Sequence, residues 1–366
     1  MTALDIVQIC ADRGIAPGST KGAAQHLRGV AAGLAGSGHR VTTYSLRSPD
    51  GPFPNDVQPL KALELLHRAD TPSVDTVVYE RYSLGHRGGL ALARRLGVPF
   101  VLEINAPLVA EATRHRPDTL NPSDVDTEAD LIGSADLVIA VSSELARWSD
   151  TMRSGPTIAL SNGFEPAWFA EPATPAAPEH PLVFIGHPKP WHGADRLIDL
   201  LVALASIDRH PDLLVVGGGP GADALRWAAR RAGVGTQLTI TGSLPPADGS
   251  ALLRHGGIGL APYRRQDPFY FCPLKVIDYL AAGLPVIATD QGDIPGLVGD
   301  AGVVVDPDDD NQLVAAVAAL LDDPTRRVAM GNEGRARAMT SMTWHHVAAR
   351  TEAALHSVLL GTGVGA

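Results

Sequence analysis

Twelve short runs rich in valine and isoleucine, each four to seven residues long, constrain this chain more than any other feature. The first six lie at 4–10, 40–46, 74–80, 98–104, 137–142 and 157–161. The second six lie at 182–186, 213–217, 238–242, 257–261, 285–288 and 302–305. Between them run segments of helical period such as GAAQHLRGVAAGLAGSG and GADRLIDLLVALASI. Apolar runs of strand length alternating with helices predict parallel sheets joined by right-handed crossovers. The chain therefore reads as α/β, with two doubly wound halves that share architecture but no internal sequence repeat. The Pro/Ala-rich stretch EPATPAAPEHP at 171–181 reads as the linker. Domains are expected over 1–170 and 182–341, and the closing segment 342–366, helical over about 343–360, is expected to cross back onto the first.

Length and charge narrow the function. A chain of 366 residues suits roughly two domains, each with its own core. Cys10 and Cys272 lie far apart and match neither disulfide nor zinc spacing. The opening MTALDIVQIC lacks a basic region followed by a long apolar one, and LVAAVAALL at 313–321 is too short to span a bilayer. These features predict a soluble, cytoplasmic chain with at most peripheral membrane contact. Net charge is −10, with 15 basic against 19 acidic residues up to position 165 and 15 against 21 beyond it. Neither half is basic, which argues against nucleic acid as partner. The pairs Arg94-Arg95, Arg230-Arg231 and Arg326-Arg327 read as solvated helix faces.

Two such domains are expected to face one another across a cleft lined by strand C-termini and helix N-termini, where backbone N–H groups collect anions. A nucleotide is the default ligand. The strand LVFIG leads into HPKPWHG, which crowds His187, Lys189 and His192 at one turn, either as diphosphate donors or as a solvated cap. Those histidines have no further ligands nearby, so no metal site is expected. LLVVGGGPGADAL at 213–225 lacks the dinucleotide-fingerprint spacing, and the next strand carries no acidic end residue. PFYFCPLKVIDYLAAGLPV at 268–286 places Lys275 and Asp278 three residues apart in an otherwise apolar or small stretch. Pro273 and Gly283 bound a helix of about 273–282 there. One reading is a surface ion pair of little consequence. The other points the helix start at the cleft, with amides of Cys272, Leu274 and Lys275 on phosphate and Asp278 on a ribose diol.

SNGFEPAWF, FIGHPKPWHGADRLIDLL, LLVVGGGPGADAL, LTITGSL and YFCPLKVIDYLAAGLPVIATDQGDIPGLV occur in an order that resembles the retaining glycosyltransferases of family four. STKGAAQHLRGVAAGLAGSGHRVT resembles that family's glycine-bearing loop and first helix, and MTWHHVAART its last helix. The resemblance implies the GT-B fold of two Rossmann-like domains, the second holding a nucleoside-diphosphate sugar and the first a hydroxyl-bearing acceptor. Asp278 stands where the family has the second glutamate of a pair, and Tyr270 replaces the first, while Phe271, Cys272 and Leu274 keep the turn. His187 and His192 fall on the family's diphosphate-binding arginine and lysine, with Lys189 and Lys275 as the remaining sources of permanent charge. Asn105 replaces a histidine near the reacting sugar. Lys189, Lys275 and Asn105 are thus the candidate catalytic residues.

In the first half, Gly18, Lys21 and Gly22 lie between strand and helix, where glycine lets backbone approach a phosphate or simply makes a tight turn. Glu80, Arg81, Tyr82 and His86, with Glu103 at the next strand end, are candidates for acceptor hydroxyls or for a structural network; Glu111 is a further one. The expected reaction is glycosyl transfer with retention and no required cofactor. The rivals are a sugar-nucleotide epimerase, a phosphorolytic enzyme, and a non-catalytic sugar-nucleotide-binding subunit. Richness in Ala, Gly, Pro and Arg points to a GC-rich bacterium. Base, sugar, acceptor and oligomeric state stay open.

Overall fold

The computed structural model describes residues 2–66 and 75–361. They form two compact units. The first takes Met1–Gly163, Tyr270–Cys272 and Trp344–Ala366, and the second Phe164–Phe269 and Pro273–Thr343. The division falls after Gly163, ahead of the proline-rich stretch, and residues 362–366 of the closing segment lie outside the described residues.

The first unit is a seven-stranded sheet of β1 (Asp5–Cys10), β2 (Arg40–Ser45), β3 (Val57–Pro59), β4 (Thr76–Arg81), β5 (Phe100–Ile104), β6 (Leu137–Ala140) and β7 (Thr157–Ala159). Its order is β3-β2-β1-β4-β5-β6-β7, with every pair parallel. Six of these strands lie on the apolar runs of the sequence. The seventh, β3, is three residues long, pairs only at the edge and ends in a proline, so it has no length in which to show a period. Both faces are covered. Ile6 packs with Val30, Leu34 and Leu355 on one side, while Val7 and Ile9 pack with Leu90 and Leu102 on the other. Burial on both faces is why the runs are uniformly apolar and not alternating.

Helix α1 (Gly22–Gly36) covers one face together with α13 (Trp344–Leu359). The two helices meet at Gly29 and Gly33. A Cβ on Gly29 would lie 2.2 Å from the Trp344 ring, and one on Gly33 2.6 Å from the Ala348 Cβ. Small residues four apart let the backbones close on Trp344, which is buried. Burying an indole contributes roughly 4 kcal/mol at the usual area coefficient. Helices α2 (Gly88–Leu96), α3 (Leu108–His115), α4 (Ser123–Ser134) and α5 (Ser143–Asp150) complete the unit.

The second unit is a six-stranded sheet of β8 (His180–Ile185), β9 (Leu213–Val216), β10 (Leu238–Ile240), β11 (Gly256–Ala261), β12 (Val286–Thr289) and β13 (Gly302–Val305). Its order is β10-β9-β8-β11-β12-β13, again parallel throughout. Helices α6 (Arg196–Ser206), α7 (Pro220–Arg231), α8 (Pro246–Leu252), α9 (Leu274–Ala282), α10 (Ile294–Val298), α11 (Asp310–Asp322) and α12 (Pro324–Ser341) surround it. Helix α9 begins after Pro273, which caps it, and ends at left-handed Gly283. It is buried nearly all round, between the sheet and α12. The Tyr279 hydroxyl accepts the Ile185 N–H and donates to the Leu260 carbonyl, both at 3.0 Å, and so locks α9 across β8 and β11.

Candidate functional site

In the second unit, β8 runs into a turn that carries His187, Lys189 and His192 before α6. Gly193 closes the turn in the left-handed region, and a Cβ there would strike the Pro262 carbonyl oxygen at 1.8 Å. The loop between β11 and α9 lies against this turn. Arg196, 1% exposed, donates from Nε to Asp310 at 2.7 Å and from NH1 to the carbonyls of Pro262 and Tyr263. Gln291 accepts the Gln266 N–H at 2.7 Å and donates to the Arg264 carbonyl at 3.1 Å. These contacts fix Tyr263, whose ring stands edge-on to His192 and to Phe269.

Lys275 projects from the first turn of α9 into this framework. The residue is 7% exposed, and no hydrogen-bond acceptor reaches its Nζ. The amine lies over aromatic rings, 4.1 Å from the Phe184 ring centroid and 5.0 Å from that of Tyr263. Burial pulls it down to about 7. Lys275, expected as a source of charge, thus has no counter-charge beside it, and burial without an acceptor disfavours its ammonium. The surface-ion-pair reading fails too. No ion pair joins Lys275 to Asp278, and burial alone pushes the half-buried Asp278 carboxyl up to about 7.

Each of the two histidines engages one ring nitrogen within the second unit. His187 Nδ1 lies 2.9 Å from the Gly218 carbonyl oxygen and His192 Nδ1 lies 3.0 Å from that of His187, so each Nδ1–H donates within the unit. Burial above all lowers His192 to about 3. Its Nε2 therefore carries a lone pair at neutral pH and accepts rather than donates. Lys189 is exposed, with its Nζ 5.9 Å from the centroid of the Trp191 ring. Leu274 opens α9, whose first amides have no helical partners.

In the first unit, the strand ends build a different arrangement. Glu103 Oε1 sits 2.8 Å from His26 Nε2 and 3.2 Å from Arg81 NH1, while Oε2 accepts from the Tyr79 hydroxyl at 2.6 Å. Burial would raise the Glu103 carboxyl, yet His26, Arg81 and Tyr79 together hold it at about 2. Glu80 is fully buried under the start of α2, paired with His86 at 2.6 Å, and burial raises its carboxyl. A Cβ on Gly89 would meet Glu80 Oε2 at 2.0 Å. Of the two readings open for Glu80 and Glu103, these buried contacts are those of a structural network; Arg81 is tied to Glu103, and the edge of His86 remains partly exposed. Asn105 follows β5 with a buried side-chain oxygen that has no partner. Lys21 caps α1 ahead of Gly22 and donates to the Gly14 carbonyl at 3.0 Å.

The segment Tyr270–Cys272 also belongs to this unit. Ser142 Oγ donates to the Tyr270 carbonyl at 2.8 Å, and Asn162 donates from Nδ2 to the Cys272 carbonyl at 3.0 Å and from its backbone N–H to Cys272 Sγ at 3.2 Å. The Tyr270 hydroxyl donates to Glu111, and its ring lies 4.3 Å from that of Phe271. Asn162 in turn accepts from His26 Nδ1 at 2.6 Å. The sequence reading singled out neither His26 nor Asn162. Their signal is a histidine on the apolar face of α1 and an asparagine ahead of glycine at the end of the first unit.

Among the described residues, no group of three or more His, Cys, Asp or Glu is placed to hold a metal, and no helix is long and apolar enough to cross a membrane.

Two parallel, doubly wound sheets, one in each unit, have the architecture of the GT-B fold. Residues 179–323 match the model of the family described as Glycosyl transferases group 1. This chain is 35% identical over 169 residues to a GDP-mannose-dependent alpha-(1-6)-phosphatidylinositol monomannoside mannosyltransferase of Mycobacterium tuberculosis, covering 44% of this chain and 43% of that protein. It is 30% identical over 193 residues to a D-inositol 3-phosphate glycosyltransferase of Corynebacterium glutamicum, covering 50% of this chain and 44% of that one. The matches span less than half the length of these curated relatives. Among solved structures, sucrose-phosphate synthase from Thermosynechococcus elongatus superposes with a TM-score of 0.73 at 19% identity, covering 98% of this chain and all of that one. HepE from Anabaena, solved with UDP and glucose, superposes with a TM-score of 0.72 at 16% identity over 97% of this chain and all of HepE.

Proposed function

We propose that the protein is a retaining glycosyltransferase that moves a hexosyl group from a nucleoside-diphosphate sugar to a hydroxyl of an acceptor. The observation that carries this reading is Lys275: a buried amine without a counter-charge, in the first turn of α9, within the group 1 domain. A helix N-terminus with unpaired amides and an adjacent amine is arranged to receive phosphate oxygens. Asp278, one turn further, takes the ribose diol, and Lys189 and His187 lie on the adjoining turn. Leu274, at the start of α9, shapes the turn that meets the diphosphate.

No side-chain carboxylate is placed as an obvious nucleophile in this reading. The acceptor oxygen attacks the anomeric carbon from the side the diphosphate leaves. The carbon–oxygen bond to phosphate breaks, and a departing phosphate oxygen takes the acceptor's proton. The protein supplies positioning and charge stabilisation, without a metal or cofactor. The relatives named above are bacterial enzymes, and we assign this one to a bacterial cytoplasm. The donors and acceptors in those relatives' names make GDP-mannose and an inositol-bearing lipid or phosphate the first pair to assay.

The test is a thermal-shift panel of GDP, UDP, ADP and dTDP with the corresponding sugars, followed by product analysis. A ligand bound only by the folded state raises the melting point. Stabilisation by one nucleoside diphosphate and a product retaining the donor's anomeric configuration are expected. No response to any nucleotide, or inversion in the product, refutes the proposal.

A further inference from the structure

The surroundings of the Lys275 amine bear on its charge as well as its place. On its own helix the nearest titratable group is Asp278, with which it makes no pair; the turn after β8 brings His187, Lys189 and His192, and the loop before α9 brings the face of Tyr263. None of these offers Nζ a hydrogen bond. The first turn of a helix is the positive end of its dipole, which further disfavours an ammonium there. The rings of Phe184 and Tyr263 attract a cation through their faces, yet they accept none of the three N–H groups that an ammonium must satisfy. A neutral amine is the form such a site tolerates when empty.

We propose that the unliganded protein holds Lys275 as the uncharged amine and that an arriving diphosphate supplies its counter-charge, so that nucleoside-diphosphate binding takes one proton from solution onto Nζ. This rests on the reading of the α9 start as the diphosphate site. Its chemistry balances simply: the ligand brings negative charge, one N–H bond forms on Nζ, and the solution loses one proton. Burial of the free amine, which pulls it down to about 7, is in accord. The consequence is a donor affinity that falls with rising pH, by about tenfold per unit over the range between the free and the liganded amine's titration. A site built on a permanently charged lysine or arginine would show no such slope.

The chain contains four lysines, Lys21, Lys61, Lys189 and Lys275, so lysine labelled with 13C at Cε yields four resolvable signals, with Lys275 assigned from Lys275→Met. In the full chain without ligand, the Lys275 signal is expected to titrate near neutrality and the other three near lysine's ordinary value of about 10.4. Four ordinary titrations overturn the inference whatever the protein binds. Calorimetry with the best nucleoside diphosphate, run at about pH 8 in two buffers of different ionisation enthalpy, should show uptake approaching one proton, falling toward none at about pH 6. In Lys275→Arg, whose guanidinium keeps its proton, the uptake should vanish. Binding without proton uptake overturns the inference and leaves the diphosphate reading standing. A Lys275 signal that titrates near neutrality in a protein that binds no nucleoside diphosphate and no inorganic pyrophosphate overturns both, and locates the error in the assignment of the ligand.

Discussion

Replacing Lys275 by methionine should stabilise the free protein while abolishing its response to nucleoside diphosphates. The amine is shifted from lysine's usual 10.5 to about 7. A base whose folded value is depressed carries a penalty that is absent above the unfolded value, grows as pH falls through the interval, and is complete below the folded value. An interval of roughly 3.5 units at about 1.36 kcal/mol each sets a ceiling near 5 kcal/mol below about pH 7. Methionine is close to the lysine stem in volume and removes the amine, but it also forfeits the attraction to Phe184 and Tyr263, of order 1 kcal/mol. The expected net gain is roughly 2–4 kcal/mol at about pH 6.5, shrinking below about 1 kcal/mol at pH 10. For a unit of this size that amounts to a rise in Tm on the order of 5–10 °C at the lower pH. Differential scanning calorimetry at three pH values reads the effect, with urea unfolding as a check. A variant no more stable than the parent at about pH 6.5, or a gap that persists undiminished at about pH 10, refutes the argument.

Other perturbations address other parts of the molecule. Glu103→Gln leaves His26 and Arg81 without their shared buried carboxylate and should destabilise the first unit by about 3–5 kcal/mol; the stabilising pairing is present above the ordinary carboxylate range and is lost as pH falls toward about 2, so the deficit in urea should close in acid. Gly29→Ala pushes a methyl into the Trp344 ring and should cost about 1–3 kcal/mol by thermal unfolding, with most of the loss recovered in a Gly29→Ala, Trp344→Leu double variant; full additivity would deny the contact. Asp278→Asn should raise the donor KM with kcat little changed, weakening nucleoside-diphosphate binding by about 1.5–3 kcal/mol, and the deficit should widen above about pH 7 as the parent carboxyl ionises. Unchanged calorimetric affinity would remove Asp278 from the ribose.

The parallel sheets and their number could be read directly from the chain. Strand runs such as those of β1, β5 and β11 announce themselves because both faces of a covered parallel sheet demand apolar residues, a local and repeated signal. Helix α9 was equally legible, since Pro273 and Gly283 act on the backbone beside them. β3 left no trace, because three edge residues carry no period. The roles of individual polar residues were much less visible. Glu80 and Glu103 stand at strand ends like ligand contacts, and only the packing of α2 over one and of His26 and Arg81 against the other turns them inward.

The amino-acid order alone therefore determined where twelve of the strands and helix α9 lie and that the chain makes two α/β halves, because these depend on neighbours a few residues away. Tertiary structure alone decided that Lys275 lies against Phe184 and Tyr263 with no acceptor, that His192 spends its Nδ1 proton on the His187 carbonyl, and that Tyr270–Cys272 packs with the first unit. Charge state and hydrogen-bond direction are set by groups that meet only after folding, 91 residues apart in the case of Phe184 and Lys275 (275 − 184), and no local pattern encodes such a meeting.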